Sequence, residues 1–318
     1  MSLEKPIDLL WHFKRIWLRY SIGDVCLFRA GFSAAAHRCR FDAAAVGDVA
    51  VKDLAARLCG EVEVVAFQDL RIERPLPRIR AAGEGLVYCL NQVANYFAGL
   101  DGSFEDYLGS LSAKTRSTLR RTVRKFSELS GGKLDFRVYR RVEEMRRYHT
   151  LARAVAAKTY QEKLFQGALP ETEEFCAEME RLAVEDRVRG YLLSVKERPA
   201  AYLYVPIRGD VADYAYLGYD PEFAEHSPGT VLLWAAMESL FGEARFKYFN
   251  FSHGVNQTKE TFCTGQFLRA DVYLFRNSLK NRIAVYGHAW MDDFSRFCGR
   301  ALDRVGLRRM VKRFLRSG

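Results

Sequence analysis

The chain has 318 residues, which exceeds one typical domain of about 150 residues, and its 49% hydrophobic and 28% charged content suits a protein that buries a sizeable core. Disordered and collagen-like classes are excluded. Lys+Arg 49 against Asp+Glu 39 gives a formal net charge of +10, which favours anionic partners such as nucleotides, nucleic acid or acidic lipid without choosing among them. The seven cysteines are scattered, odd in number and never in a C-x-x-C pair. That argues against a disulfide framework or zinc knuckle, and for a reducing, cytoplasmic setting.

Residues 9–19 are apolar but interrupted by Lys14, Arg15 and Arg19, with no small-residue cleavage site, so they read as an amphipathic helix and not as a signal peptide or membrane span. Strands are expected at 25–28, 62–67 and 86–90 and a helix at 49–58, with Pro75 and Pro77 marking a loop. Residues 1–110 thus form a small α/β lobe without visible chemistry. Residues 112–127 carry six basic and no acidic side chains. Ser112 is the expected N-cap, Leu119, Val123 and Phe126 share one face, and Gly131-Gly132 closes the helix. Its basic face is either solvated or in contact with phosphate, including an RNA backbone.

A strand is expected at 134–139 and helices at 142–160 and 171–186. Strands at 190–195, 200–207 and 212–219, joined by short turns, should form an antiparallel meander. A helix at 230–240 and strands at 247–251 and 267–275 complete a mixed sheet with a crossover. Residues 280–318 are helical, with ten basic and three acidic residues. Packing on its own protein is the preferred role, and contact of residues 299–318 with an acidic membrane surface is the other.

No G-x-S-x-G, H-E-x-x-H or EF-hand pattern occurs, and no metal site is expected. Residues 254–261 are similar to a phosphate loop but lack the second Gly before Lys259 and a hydroxyl residue directly after it, which excludes a nucleoside-triphosphate site. The informative stretch is 216–234, where a strand ends in a polar loop and Ser227-Pro228-Gly229-Thr230 opens a helix with no acidic residue until Glu238. A helix start offers unpaired N–H groups and the positive end of the macrodipole to a pyrophosphate, and Gly229 permits close backbone approach. Simple capping by Ser227 is the competing reading.

Three blocks in this order, the 111–121 segment L-S-A-K-T-R-S-T-L-R-R, the 218–232 segment G-Y-D-P-E-F-A-E-H-S-P-G-T-V-L, and F-N-F-S-H-G at 249–254 followed by Lys259 and Phe262, resemble the GNAT-type acyltransferase domain of the CelD-like, cellulose-biosynthesis family, which is related to the FemAB aminoacyl transferases. The resemblance spans about residues 111–275. It implies two GNAT-like α/β lobes with mixed sheets: a degenerate lobe at 1–110, an acyltransferase domain at 111–278 and a basic helical tail at 279–318. It also implies acetyl-CoA or a longer acyl-CoA as co-substrate, with Tyr216 and Gly218 along the pantetheine arm and His226, Ser227, Pro228, Gly229 and Thr230 at the pyrophosphate. Asn250, Ser252 and Lys259 would face the acceptor.

The sequence departs from the family pattern at Asn250, where an acidic residue is common, and at Val255-Asn256. A carboxylate base on that strand is therefore doubtful, and His253, with an unperturbed pKa of about 6.5, is the candidate base. Tyr216 and Tyr219 are an odd number of strand positions apart and point to opposite faces; Tyr219 is the favoured acid for the leaving thiolate. The expected activity is N- or O-acyl transfer to an amino sugar or a glycan- or lipid-linked precursor. A FemAB-like transferase using aminoacyl-tRNA, and a non-catalytic scaffold at the membrane, are the alternatives.

Overall fold

Alternation, not helical spacing, governs the N-terminus. In the computed structural model, which describes residues 12–23, 25–39, 41, 62–82, 85–159, 169–253 and 257–304, the segment expected as an amphipathic helix is the strand β1 (His12–Ile22). It turns Ile16, Leu18 and Tyr20 inward at every second position and pairs antiparallel with β2 (Val25–Arg38). Arg15 and Arg19 are outward residues of a two-residue period, whereas Lys14 shares the parity of the inward set but lies in the exposed first part of the strand. The helix expected at 49–58 lies outside the described residues.

Along the chain follow β3 (Val64–Ile72), β4 (Ile79–Ala82), β5 (Gly85–Gly99), α1 (Phe104–Ser110), α2 (Ala113–Leu129), β6 (Asp135–Tyr139), α3 (Val142–Ala156), α4 (Glu173–Val184), β7 (Val188–Val195), β8 (Arg198–Arg208), β9 (Val211–Asp213), β10 (Tyr216–Tyr219), a 3-10 turn (Pro221–His226), α5 (Pro228–Glu243), β11 (Tyr248–His253), α6 (Gln257–Phe262), β12 (Gly265–Arg276) and α7 (Leu279–Arg304). The fold is mixed α/β, with a large mixed sheet and helices. Ser112 caps α2 by accepting the Thr115 N–H at 3.1 Å, and Gly131 and Gly132 end it at positive φ, as the sequence implied.

Two compact units divide the chain, residues 1–93 with 267–318, and residues 94–266. This differs from a division at 110 and 278, because β5 contributes residues to both units and β12 returns to pair with β3. In the first unit β1–β2 and β3–β12 are antiparallel while β2–β3 is parallel. One face of α7 closes the core there: Val285 and Ala289 pack with Leu18, Phe32, Tyr88 and Phe275. The Tyr20 hydroxyl donates to the Ala284 carbonyl at 2.7 Å, and the Tyr88 hydroxyl meets His288 Nδ1 at 2.6 Å. Burial pushes the His288 pKa down. The C-terminal helix, as far as it is described, is thus part of the first unit and not a separate tail.

The second unit has the strand order β5-β11-β9-β8-β7-β6, with β10 also on β8. The meander is antiparallel, and β9, α5 and β11 form the expected crossover with β9 and β11 parallel. Helix α5 is apolar on every side from Val231 to Met237 because that stretch is buried on every side, and Leu240 and Phe241 continue the core beyond the exposed Glu238. On the other face of the sheet, α3 and α4 pack Tyr148, Met145 and Met179 against Leu192 and Tyr202.

The second unit also buries a charge. Arg189 is fully buried, with Nε and Nη2 on the two oxygens of Glu243 at 2.8 and 2.6 Å and Nη1 on Asp186 at 2.7 Å. The bond ties the end of α5 to β7. Removing one partner of a buried pair leaves the other desolvated, so Glu243→Ala should lose about 2–3 kcal/mol of unfolding free energy. Urea titration measures it; an unchanged midpoint would remove Arg189–Glu243 from the forces holding α5 in place.

Candidate functional site

The site is built where two neighbouring strands part. Strand β8 carries β9 at one end and β10 at the other, and β11 runs parallel to β9 from Tyr248 to Asn250. The Tyr214 N–H donates to the Asn250 carbonyl at 2.9 Å. Past that bond β10 stays on β8 while β11 follows β5, and among the described residues no ladder joins β10 to β11. The single strand expected at 212–219 is therefore two strands broken at Tyr214-Ala215.

A polar cluster fixes the parting. Asn250 is only 2% exposed; its Oδ1 accepts from Asn95 Nδ2 and from the Ser252 N–H, each at 2.9 Å, and its Nδ2 donates to Asp213 Oδ1 at 2.7 Å. Arg208 grips Asp213 through Nε at 2.6 Å and Nη2 at 3.0 Å. Bonding of the Ser252 N–H to the Asn250 side chain accompanies a bulge in β11, with Ser252 at φ 62°, a left-handed conformation that carries strain in a non-glycine residue. The buried Asn95 Oδ1 has no hydrogen-bond partner.

This cluster gives a physical reason for an amide at position 250, where the resemblance implies an acid. A carboxylate there would have no N–H to give Asp213 and would meet a second carboxylate at hydrogen-bond distance. The Asn250 side chain, expected at the acceptor, is instead committed to the sheet.

The loop after β10 is held by Asp220, whose role the G-Y-D-P pattern alone does not reveal. Asp220 is buried, caps the 3-10 turn through the Glu222 N–H at 3.1 Å, and pairs with Lys158 Nζ at 2.7 Å and Arg198 Nη2 at 3.0 Å. Burial pushes its carboxyl up, but the bonds from Lys158, Glu222 N–H and Arg198 outweigh this and hold it below the usual range. Ser227 then adopts φ 51°, ψ 50° and makes no side-chain cap bond; its carbonyl accepts from the Thr230 and Val231 N–H groups. The simple capping reading thus fails for Ser227.

Gly229 packs tightly, since a Cβ would lie 3.1 Å from Leu217 Cδ2 and 3.5 Å from Tyr219 Cδ1. Ser227 is exposed, His226 and Thr230 are half-buried, and Pro228 and Gly229 are buried. The two tyrosines do point apart. Tyr216 faces Phe175 and Tyr204, whereas Tyr219 lies by the start of α5 and is 42% exposed. Gly218 seats the Tyr202 ring, which would stand 2.5 Å from a Cβ at that position.

His253 ends β11 opposite Asn95; its side chain and residues 254–256 lie outside what is described. Lys259 on α6 is not a solvated surface residue. It is 9% exposed, its Nζ lies 5.5 Å from the centroid of the Tyr214 ring, and burial lowers its pKa. Tyr214 packs against Phe249 and Phe251, and burial pushes its hydroxyl up to about 12. Phe262 is a fully buried anchor whose carbonyl accepts from the Tyr107 hydroxyl at 2.7 Å.

The basic helix is only partly available. Arg116 donates to the Leu108, Gly109 and Leu111 carbonyls and so caps α1. Arg120 pairs with Glu105 and Arg124 with Glu128. Lys114, Arg121 and Lys125, spaced 7 and 4 residues apart on one exposed face, make no ion pair among the described residues.

Residues 113–260 match the family model described as an acetyltransferase (GNAT) domain. The match runs from α2 into α6, a little under half of the chain. Among solved structures, this chain is similar to FemX at 10% identity, covering 84% of this chain and 88% of that one, with a TM-score of 0.50. It is also similar to L-PGS from Bacillus licheniformis at 15% identity, 86% and 88% coverage and a TM-score of 0.44. A GNAT-family candidate acetyltransferase from Novosphingobium aromaticivorans aligns at 11% identity over 71% of this chain and 80% of that one, with a TM-score of 0.33. No curated protein matches the sequence.

Two outcomes test the site's construction. Asn250→Asp should lose about 2–4 kcal/mol at pH 7 and recover part of it in mild acid, where one of the two carboxylates takes up a proton; a variant as stable as the parent at pH 7 would contradict the amide bridge. For Asp220 the folded-state pKa is depressed, so its stabilisation is present above the unfolded value of about 3.9 and lost as pH falls. Asp220→Asn should weaken the protein at pH 7 by about 1–3 kcal/mol, with the gap closing towards about pH 3. A pH-independent gap in chemical denaturation would contradict the pairing.

Proposed function

We propose that the 94–266 unit transfers an acyl group from acetyl-CoA or a longer acyl-CoA to an amine or hydroxyl, with an amino sugar or a glycan- or lipid-linked precursor as acceptor. The observation that carries the reading is the parting of β10 from β11 beyond the Tyr214–Asn250 bond, with the N-terminal turn of α5 at the far end of β10. An extended substrate can hydrogen-bond to a strand edge left open in this way. Its pyrophosphate would meet the α5 terminus, where the Gly229 backbone and the Ser227 and Thr230 hydroxyls border the positive end of the helix and the first turn has no acidic residue. Tyr216, Gly218, His226 and Pro228 shape that run, Gly218 through the Tyr202 ring that it seats.

In the reaction the acceptor nitrogen or oxygen attacks the thioester carbonyl, the acceptor proton passes to a base, and the thiolate leaves and is protonated. His253 is the proposed base and Tyr219 the proposed acid. Ser252, in its strained bulge, and Lys259 are proposed to face the acceptor, Lys259 as a desolvated cation suited to an anionic group. Asn250 enters this reading as the residue that holds the parting open.

The second reading, a transferase using aminoacyl-tRNA, is favoured by one observation, the exposed face of Lys114, Arg121 and Lys125, which make no ion pair among the described residues. Calorimetry with acetyl-CoA and longer acyl-CoAs separates the two. Micromolar binding of an acyl-CoA, abolished in high concentrations of pyrophosphate and weakened by Thr230→Glu, is expected. Failure of every acyl-CoA to bind, together with tight, salt-sensitive binding of aminoacyl-tRNA, would overturn the first reading. With an acceptor in hand, His253→Ala should lower kcat by about 100-fold or more while leaving acyl-CoA affinity unchanged; an unaltered kcat removes His253 from the chemistry.

A further inference from the structure

Helix α7 has two apolar faces, and the first unit covers one. Opposite the buried Val285, His288 and Ala289, the side chains of Leu279, Ile283, Tyr286, Trp290, Phe294 and Phe297 are exposed, from 40% at Phe294 to 75% at Leu279. Their spacings of 4, 3, 4, 4 and 3 residues, at about 100° per residue, confine them to one stripe roughly 80° wide and, at about 1.5 Å per residue, roughly 27 Å long. Trp290 and Phe294 stack with ring centroids 5.5 Å apart. The patch widens on one side, where exposed Phe28 stacks on Tyr20 at 4.0 Å and Tyr20 in turn packs by Gly287. A contiguous apolar surface of this kind marks a docking site.

Charge identifies the occupant. Arg282 and Arg300 are exposed along one edge of the stripe and make no ion pair among the described residues. Two of the helix's acidic groups are paired, Asp292 with Arg78 and Arg296 and Asp293 with Arg78. In sequence, residues 305–318 add five basic and no acidic residues. A second copy of the chain would bring these cations against one another, whereas anionic lipid headgroups would neutralise them. Tyr and Trp prefer the headgroup level and Leu, Ile and Phe the acyl boundary just beneath it.

We propose that the outer face of α7 lies flat on an anionic lipid surface, with the Leu279-to-Phe297 stripe at the acyl boundary and Arg282 and Arg300 at headgroup phosphates. The contact is interfacial: no described helix is long and apolar enough to cross a membrane. Its apolar stripe, Leu279 to Phe297, lies N-terminal to the 299–318 segment that charge alone pointed to. It is independent of the acyl-transfer reading.

The test is flotation of the full-length protein with vesicles of phosphatidylglycerol and phosphatidylcholine, against phosphatidylcholine alone. The protein should float with the anionic vesicles and remain below with the neutral ones. A Trp290→Ser, Phe297→Ser double variant should lose about 10-fold or more in partitioning, and Arg282→Gln, Arg300→Gln should lose binding in a salt-dependent way. All four positions are exposed, so circular dichroism should match the parent. Equal flotation of the double variant and the parent would overturn the proposal. So would a lipid-free dimer, seen by light scattering, that the double variant abolishes while the parent ignores vesicles.

Discussion

The amide bridge from Asn95 through Asn250 to Asp213 is the constraint on which the second unit's geometry depends. Parallel strands β9 and β11 would by default continue side by side, each satisfying the other's backbone groups. They part because the Asn250 side chain takes over the Ser252 N–H, bending β11 into a bulge that follows β5. Arg208 orients Asp213 through Nε and Nη2, and Asp213 in turn accepts from the donor at position 250. One local choice of amide over carboxylate thus decides both where the sheet opens and which acid–base chemistry the opening can hold.

The second fixed point is the turn after β10. Asp220 draws together Lys158 beyond α3, Arg198 at the start of β8 and the first N–H of the 3-10 turn, so three separate segments converge on one buried carboxylate. That convergence delivers the chain to Ser227 in a left-handed conformation, and the buried helix α5 starts from there. Because α5 is held on every side from Val231 to Met237 and tied at its far end by Glu243 to Arg189, its N-terminus is a rigid element. Rigidity there matters because preorganised donors bind an anion without first ordering a loop.

Much of this was legible in the sequence, and the failures have physical causes. The basic helix with its Ser112 cap, the meander, the crossover and the loop-helix block at 218–232 carry strong local signals, namely turn residues, caps and β-branched runs. The N-terminal strand was misread because Ile16-Trp17-Leu18 with flanking cations satisfies both a helical and an alternating template, and only pairing with β2 decides between them. The break at Tyr214-Ala215 has no local marker, since it is imposed by β11. Asp213, Arg208 and Asn95 were invisible for the same reason: their roles exist only once β5, β9 and β11 are neighbours. Lys259 reads as a surface residue from its neighbours in sequence, yet the Tyr214 ring covers it.

Locating the charge changes what the +10 means. Of the six cations in 112–127, Arg116 closes the end of α1, while Arg120 and Arg124 have carboxylate partners, so half of that apparent anion-binding face is structural. In α7 the reverse holds: Asp292 and Asp293 are paired with arginines, while Arg282 and Arg300 border an apolar stripe. Sequence charge therefore overstates the first surface and understates the second. A cation aimed at a neighbouring carbonyl or carboxylate is already satisfied, whereas one set beside exposed Trp and Phe has both an electrostatic and an apolar reason to meet the same partner. Only an amphiphilic surface supplies both.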